Sequence, residues 1–304
     1  MKKRRQHYVW QSYLRSWVRN DKIACLREGK IFSPSVIGIG HQRDFYRLRE
    51  LSEAEVEFLT AVINLNSNHE MRQTNNKVLQ MFTGVFELRR HAENQGISDH
   101  SLQARLDIMQ NNLEEDFHAR IESDSARFIT SILNGDMGFY ANDEACADFI
   151  YFLIIQYCRT KRMLQSVIKN TDGLGLVRIQ NIWGALRHII AINVSNGIYS
   201  QRQSFRLVRL TANDSQELIT GDQPVINIHA TNSQRELSSD EFELYYPVSP
   251  HVAILLSKES RWDGVAEYRL NSHQVRTYND HIVSQAHEQL YASSEKWLHP
   301  YLEV

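Results

Sequence analysis

No proline stands between Pro34 and Pro224, whereas Pro224, Pro247, Pro250 and Pro300 punctuate the last third of the chain. Proline lacks the backbone N–H that a helix interior needs, and its ring clashes with the carbonyl one turn back. So long a stretch without it fits a run of helices, and the punctuated remainder fits strands and turns.

The patterning agrees. Ser52-x-x-Glu55 reads as a capping box ahead of Val56, Leu59, Val62 and Ile63. Residues 69–94 and 101–122 read as charged helices whose thin apolar stripes predict a hairpin that projects from the core or packs loosely on it. It is also the candidate surface for a protein partner. Asn142 or Asp143 caps a helix running through Phe149, Ile150, Leu153 and Tyr157 to about Asn170, the expected central buried helix. Another covers 177–195.

Ahead of these, His7–Arg19 places His7, Gln11 and Leu14 on one helical face. Two short apolar runs around Glu28-Gly29 signal a hairpin. After Asn196-Gly197 come strand-like runs at Phe205–Leu210, Glu217–Thr220, Val225–Ile228, Phe242–Val248, Val252–Leu256 and Tyr268–Leu270, then a final helix at about 272–293. The expectation is one α+β domain over 1–304. Its helical middle (about 50–195), N-terminal hairpin and mostly antiparallel C-terminal sheet join in one core.

Composition excludes more than it selects. Hydrophobic residues make up 42% and charged residues 23%, ordinary for a globular chain, and the net charge of −2 argues against a protein dominated by nucleic acid backbone. Cys25, Cys146 and Cys158 form no CxxC pair and so offer neither a disulfide framework nor a thiolate zinc site. The basic opening MKKRR lacks the apolar stretch of a signal peptide, and the run Phe149–Ile155 is too short to cross a bilayer. A cytoplasmic protein without a membrane segment is expected. There is no HExxH, no phosphate-binding glycine loop and no complete dinucleotide fingerprint, and His281 and His287 lack helical metal spacing.

Three separated stretches place polar groups among large apolar ones: HYVWQSYL at 7–14, QYCRT at 156–160 and ITGDQP at 219–224. Each has a functional and a structural reading. His7 and Gln11 suit acid–base work and positioning, or hydrogen bonding within a packed terminus. Arg159, in the most apolar helix, needs a carboxylate or an anionic ligand. It either pairs with Asp222 or clamps phosphate or carboxylate in a cavity, with Gln156 and Thr160 on its helical face. Asp222, fixed by the following Gln223-Pro224, is a general base or metal ligand, or else an Asx-turn acceptor. A divalent metal is the only cofactor this set suggests.

These residues, with Asp44-Phe45-Tyr46, Tyr246-Pro247-x-Ser249-Pro250 and Asn279, resemble in order and coverage the bacterial family named domain of unknown function 4238. That family opens with a segment like HYVPQFYLRNF and continues through QxxRT-like and ITSDxP-like elements to a helix carrying an asparagine. Trp10 replaces its usual proline. Gly221 replaces its usual serine, which removes a hydroxyl beside Asp222. The resemblance implies no established activity. Together the readings point to a hydrolase acting on a phosphate-containing substrate, nucleic acid or nucleotide, in phage defence or a mobile element. His7, Gln11, Arg159 and Asp222 are its catalytic candidates, and Gln156, Thr160 and Asn279 its substrate-binding ones. The alternative is a non-catalytic sensor or interaction protein with a structural polar cluster.

Overall fold

The computed structural model describes residues 1–171, 177–213, 215–230 and 242–303. The chain enters as a strand, β1 (Arg5–His7), and only then forms the single helical turn α1 (Gln11–Leu14), continued by a 3-10 turn at Arg15–Trp17. This corrects the expected helix from His7. Trp10 stands at the junction with φ −59° and ψ 122°, extended backbone that ends the strand and opens the turn.

The hairpin forms as expected between β2 (Ala24–Arg27) and β3 (Lys30–Phe32). Its two turn residues, Glu28 and Gly29, have φ of +51° and +68°, the left-handed pair that a two-residue turn requires. β4 (His41–Arg43) then pairs antiparallel with β1, setting His7 opposite His41.

The helical middle begins with α2 (Glu53–Asn64), whose Ser52 and Glu55 make the reciprocal capping box. α3 (His69–Asn94) and α4 (His100–Leu133) follow. They lie on the core along much of their length, instead of projecting from it. α3 buries Asn75, Val78, Leu79, Phe82, Val85 and Phe86. α4 buries Gln110, Asn111, Glu114 and His118 as well as Phe128, Ile129 and Ile132. More than half of the buried residues of α4 are polar, so apolar periodicity understates that face. Exposed Leu88, Ile97 and Met109 mark the outer end of the pair.

The expected central helix is two helices. α5 (Asp143–Cys158), capped by Asn142, ends at Arg159, and Thr160 restarts the chain by accepting a bond from Met163 N at 3.3 Å to open α6 (Lys161–Thr171). α7 (Ile179–Ser200) completes the layer, packing against α5 and α3.

The remaining elements are β5 (Arg206–Thr211), β6 (Thr220–Gly221), β7 (Ile226–Asn227), β8 (Leu244–Ser249), β9 (Val252–Ser257), β10 (Glu267–Arg269), α8 (Ser272–Gln285) and β11 (Gln289–Ala292). A five-stranded sheet runs β10-β5-β9-β8-β7, antiparallel except for β10 against β5. Successive residues of β9 serve two cores. Ile254 and Leu256 face the helices, while Ala253 and Leu255 pack toward α8 and the second sheet. That second sheet runs β3-β2-β11-β6, wholly antiparallel, so the first hairpin is joined to the last strand.

β11 lies where the final helix was expected to continue. α8 stops at Gln285 and Ala286 turns extended at ψ 149°, and a short apolar run carries no period that separates strand from helix. Gly221 has a packing reason under this strand: a Cβ there would come within 3.1 Å of Gln289 O.

Candidate functional site

Arg159 is the hub of the polar cluster. It is 1% exposed, yet every nitrogen of its guanidinium finds an acceptor. Nε donates to Tyr46 Oη at 2.9 Å, one Nη donates to Glu122 and more distantly to Gln156 Oε1 at 3.5 Å, and the other Nη donates to His7 O. The sequence places it there because the end of α5 leaves Arg159 on the most buried helix, facing α4 and the first strand. Burial demands a counter-charge, and Glu122 supplies it.

The anticipated partner, Asp222, does something else. Its two carboxylate oxygens accept backbone N–H bonds from His287 at 2.7 Å and Glu288 at 2.8 Å, which fixes the approach to β11. Burial nevertheless raises its pKa, with those two bonds working against the rise. This is the turn-acceptor role, and Asp222 borders none of the cavities described here.

Two further candidates also hold the fold. Thr160 caps α6 and donates to Gln223, and Asn279 splints the chain at Ile219 by accepting from Ile219 N and donating to Glu217 O, each at 2.9 Å. Gln156 stays with Arg159.

His7 and Gln11 do meet, across the strand-to-turn corner. Gln11 Nε2 lies 3.2 Å from His7 Nε2, an arrangement in which the amide donates to a neutral imidazole. Burial and the neighbouring His41 lower the His7 pKa to about 4, while a backbone bond at Ile37 works the other way. His7 is therefore uncharged at neutral pH, and the acid role assigned to it from sequence does not suit it there.

Together with Trp10, Glu115, His118, Glu122 and Arg159, these two residues border a small cavity of about 230 Å³. Glu115 is the titratable group the sequence reading passed over. One of its oxygens accepts a long bond from His7 N at 3.5 Å, and the other is buried without a hydrogen-bond partner. Burial raises its pKa to about 7, against the opposing pull of Arg159.

Behind the cavity the charges continue as a buried ladder. The Arg187 guanidinium lies 4.7 Å from the Tyr46 ring centre and grips Glu114 Oε1, through Nε at 2.7 Å and through one Nη. His188 Nε2 and His118 Nε2 stand 3.3 and 3.6 Å from the same oxygen. Glu114 and Arg187, with Phe45, Tyr46, Arg47, Arg49 and Lys161, also line a larger cleft of about 730 Å³. Tyr46 thus borders the cleft and bonds Arg159 of the small cavity.

Sequence reasoning missed Glu114, Glu115, His118 and Glu122 because they sit in a helix taken as solvated. Glu114, His118 and Glu122 recur every four residues, a polar stripe on one face, and Arg187-His188 interrupts the apolar face of α7. Among the described residues, two sets of three groups could hold a metal ion: Glu114, His118 and His188, and His229, Glu243 and Glu259.

Comparison with known proteins adds one match. No curated protein and no solved structure matches the chain. The family model described as "protein of unknown function (DUF4238)" matches residues 5–296, and so takes in β1, Arg159, both sheets and nearly all of the rest. The chain belongs to that family.

Proposed function

We propose that this protein is a hydrolase whose acid–base centre is the small cavity between β1, α4 and the end of α5. The observation that carries the reading is Glu115, a half-buried carboxyl with a pKa of about 7 and one unpartnered oxygen, in a cavity shared with His7 and Gln11. A general base works best when its pKa lies near the working pH. In this reading Glu115 accepts the proton of an attacking water. Gln11 and neutral His7 position it, and Arg159 holds the strand, Tyr46 and Glu122 in place without touching substrate.

A phosphate-containing substrate, nucleotide or nucleic acid, draws its support from the larger cleft, from which it must reach past Tyr46 into the small cavity, because Glu115 does not line the cleft. Arg47, Arg49 and Lys161 offer cationic groups there beside the rings of Phe45 and Trp183. In the small cavity the Arg159 charge is already paired with Glu122. A cytoplasmic setting rests on three free, buried cysteines. Among the described residues no helix is long and apolar enough to cross a membrane. Phage defence or a mobile element remains the biological context of this reading.

The test is release of phosphate or shortened strands from a panel of nucleotides and single- and double-stranded nucleic acids. Turnover should rise with pH through about 7, following ionisation of Glu115, and vanish in Glu115→Gln while the fold is kept. Turnover that persists in Glu115→Gln defeats the reading.

One observation favours a second reading, that of an interaction protein. Leu88, Ile97 and Met109 are 54%, 47% and 41% exposed at the outer end of α3 and α4, where a protein partner would find apolar surface. Loss of cellular function in a Leu88→Glu/Met109→Glu protein that retains its fold would favour that reading.

A further inference from the structure

We infer that Glu114, His118 and His188 form a binding site for a divalent transition-metal ion, set in the wall between the small cavity and the larger cleft. The inference does not rest on the acid–base reading of Glu115.

The donor set comes first. Two imidazoles and one carboxylate converge, their ligand atoms all within 4.8 Å of one another. His188 Nε2 and His118 Nε2 lie 3.3 and 3.6 Å from Glu114 Oε1. For a metal bonded to nitrogen and oxygen at about 2.0–2.1 Å, the edge of a tetrahedron is about 3.3–3.4 Å. The two nitrogen-to-oxygen spacings are already close to what an ion would impose.

The second observation is what these rings lack. His118 is 1% exposed and His188 fully buried, yet both ring nitrogens of His118 and Nδ1 of His188 have no hydrogen-bond partner. His188 Nε2 is already engaged with Glu114 at 3.3 Å, but His118 Nε2, buried and facing the same carboxylate without a hydrogen bond, points to a ligand.

The other three-residue set lacks this property. Glu243 is satisfied by Trp262 Nε1 at 3.0 Å, His229 at 3.2 Å and Arg261 at 3.3 Å, and Arg261 also holds Glu259 at 2.7 Å.

Arg187 competes for Glu114 Oε1. Arg187 is buried, and its guanidinium must move off Glu114 Oε1 for an ion to take its place beside the carboxylate. An ion held by only three protein ligands keeps a coordination position for water or substrate, and Glu114 also borders the cleft. Two imidazoles and a carboxylate suit zinc, ferrous iron, cobalt or nickel better than magnesium or calcium.

The experiment uses the full chain, stripped with a chelator and titrated with cobalt(II), then with zinc in competition. Expected are visible ligand-field bands that saturate at one equivalent and are bleached by zinc. His118→Gln and His188→Gln should each lose the bands, and His229→Gln should keep them. A parent protein that shows no such bands at one equivalent overturns the inference, whatever the variants do. So do bands that survive in both His118→Gln and His188→Gln, or that vanish in folded His229→Gln.

Discussion

Arg159 and Glu122 form an ion pair in which the guanidinium is 1% exposed and the carboxylate 12%. The pair ties the end of the central helix to the long helix beneath it, and through His7 O and Tyr46 Oη it ties both to the first strand. Removing one partner strands the other away from water. Arg159→Met should cost roughly 3–5 kcal/mol, and adding Glu122→Gln should recover part of the loss. Urea unfolding of the single and double variants reads the coupling directly.

Asp222 answers to different partners. Asp222→Asn leaves one of two backbone donors without its oxygen and should cost about 1–3 kcal/mol. Combined with Arg159→Met, its effect should add within about 0.5 kcal/mol, because the two residues share no hydrogen-bond partner. A coupling well above that value would join the two into one network.

Glu115 makes stability depend on pH. Its pKa is raised in the folded protein from 4.5 to about 7. The folded state therefore holds a proton that the unfolded chain gives up. That contribution is fully present below about pH 4.5 and lost as pH rises through about 7. Glu115→Gln mimics the protonated carboxyl and removes the dependence. The variant should match its parent at pH 4 and exceed it at pH 8, by at most about 3 kcal/mol after allowing for solvent. His7 acts oppositely between about 4 and 6.5, but it is present in both proteins and cancels. Paired thermal melts across that range check the sign.

Gly184 faces α3 and α4 closely. A Cβ there would lie 2.7 Å from the Phe82 ring and 3.1 Å from Glu114 Oε2. Gly184→Ala should therefore destabilise by about 1–3 kcal/mol through overpacking, despite alanine's higher helix propensity. A melting temperature equal to or above the parent's would show that the Phe82 ring gives way.

Protection should vary along the two long helices. Amides at Asn75–Phe86 and 110–122 lie on the core side and should exchange as slowly as those of α5. The outer end around Leu88–Met109 should exchange faster. Uniformly rapid exchange over both helices would place them off the core in solution.

The sequence made the broad division visible because proline, capping boxes and turn residues act locally. Ser52 and Glu55, or Glu28 and Gly29, specify their geometry with no help from the rest of the chain. The residues around Arg159 were half legible. That a buried arginine must be paired could be stated in advance, but the choice between Asp222 and Glu122 depends on which element lies against the end of α5. Glu122 lay hidden because a carboxylate on a charged helix looks the same whether its face meets water or a guanidinium. β11 was hidden for another reason, since three apolar residues after a helix carry no period of their own.

The position of β11 also sets a time order on the ribosome. Its backbone bonds lie between β2 and β6, so the hairpin made from residues 24–32 must wait for residues 289–292 before its sheet can close. Helices built from local contacts can form while the chain is still being made, whereas this seam closes only after residue 292 has been synthesised. Until then β2 keeps one strand edge unpaired, the kind of edge on which a second chain can pair. A product interrupted before Gln289 would carry His7, Arg159 and Glu115 in full, yet lack the strand that holds β2 and β6 in one sheet.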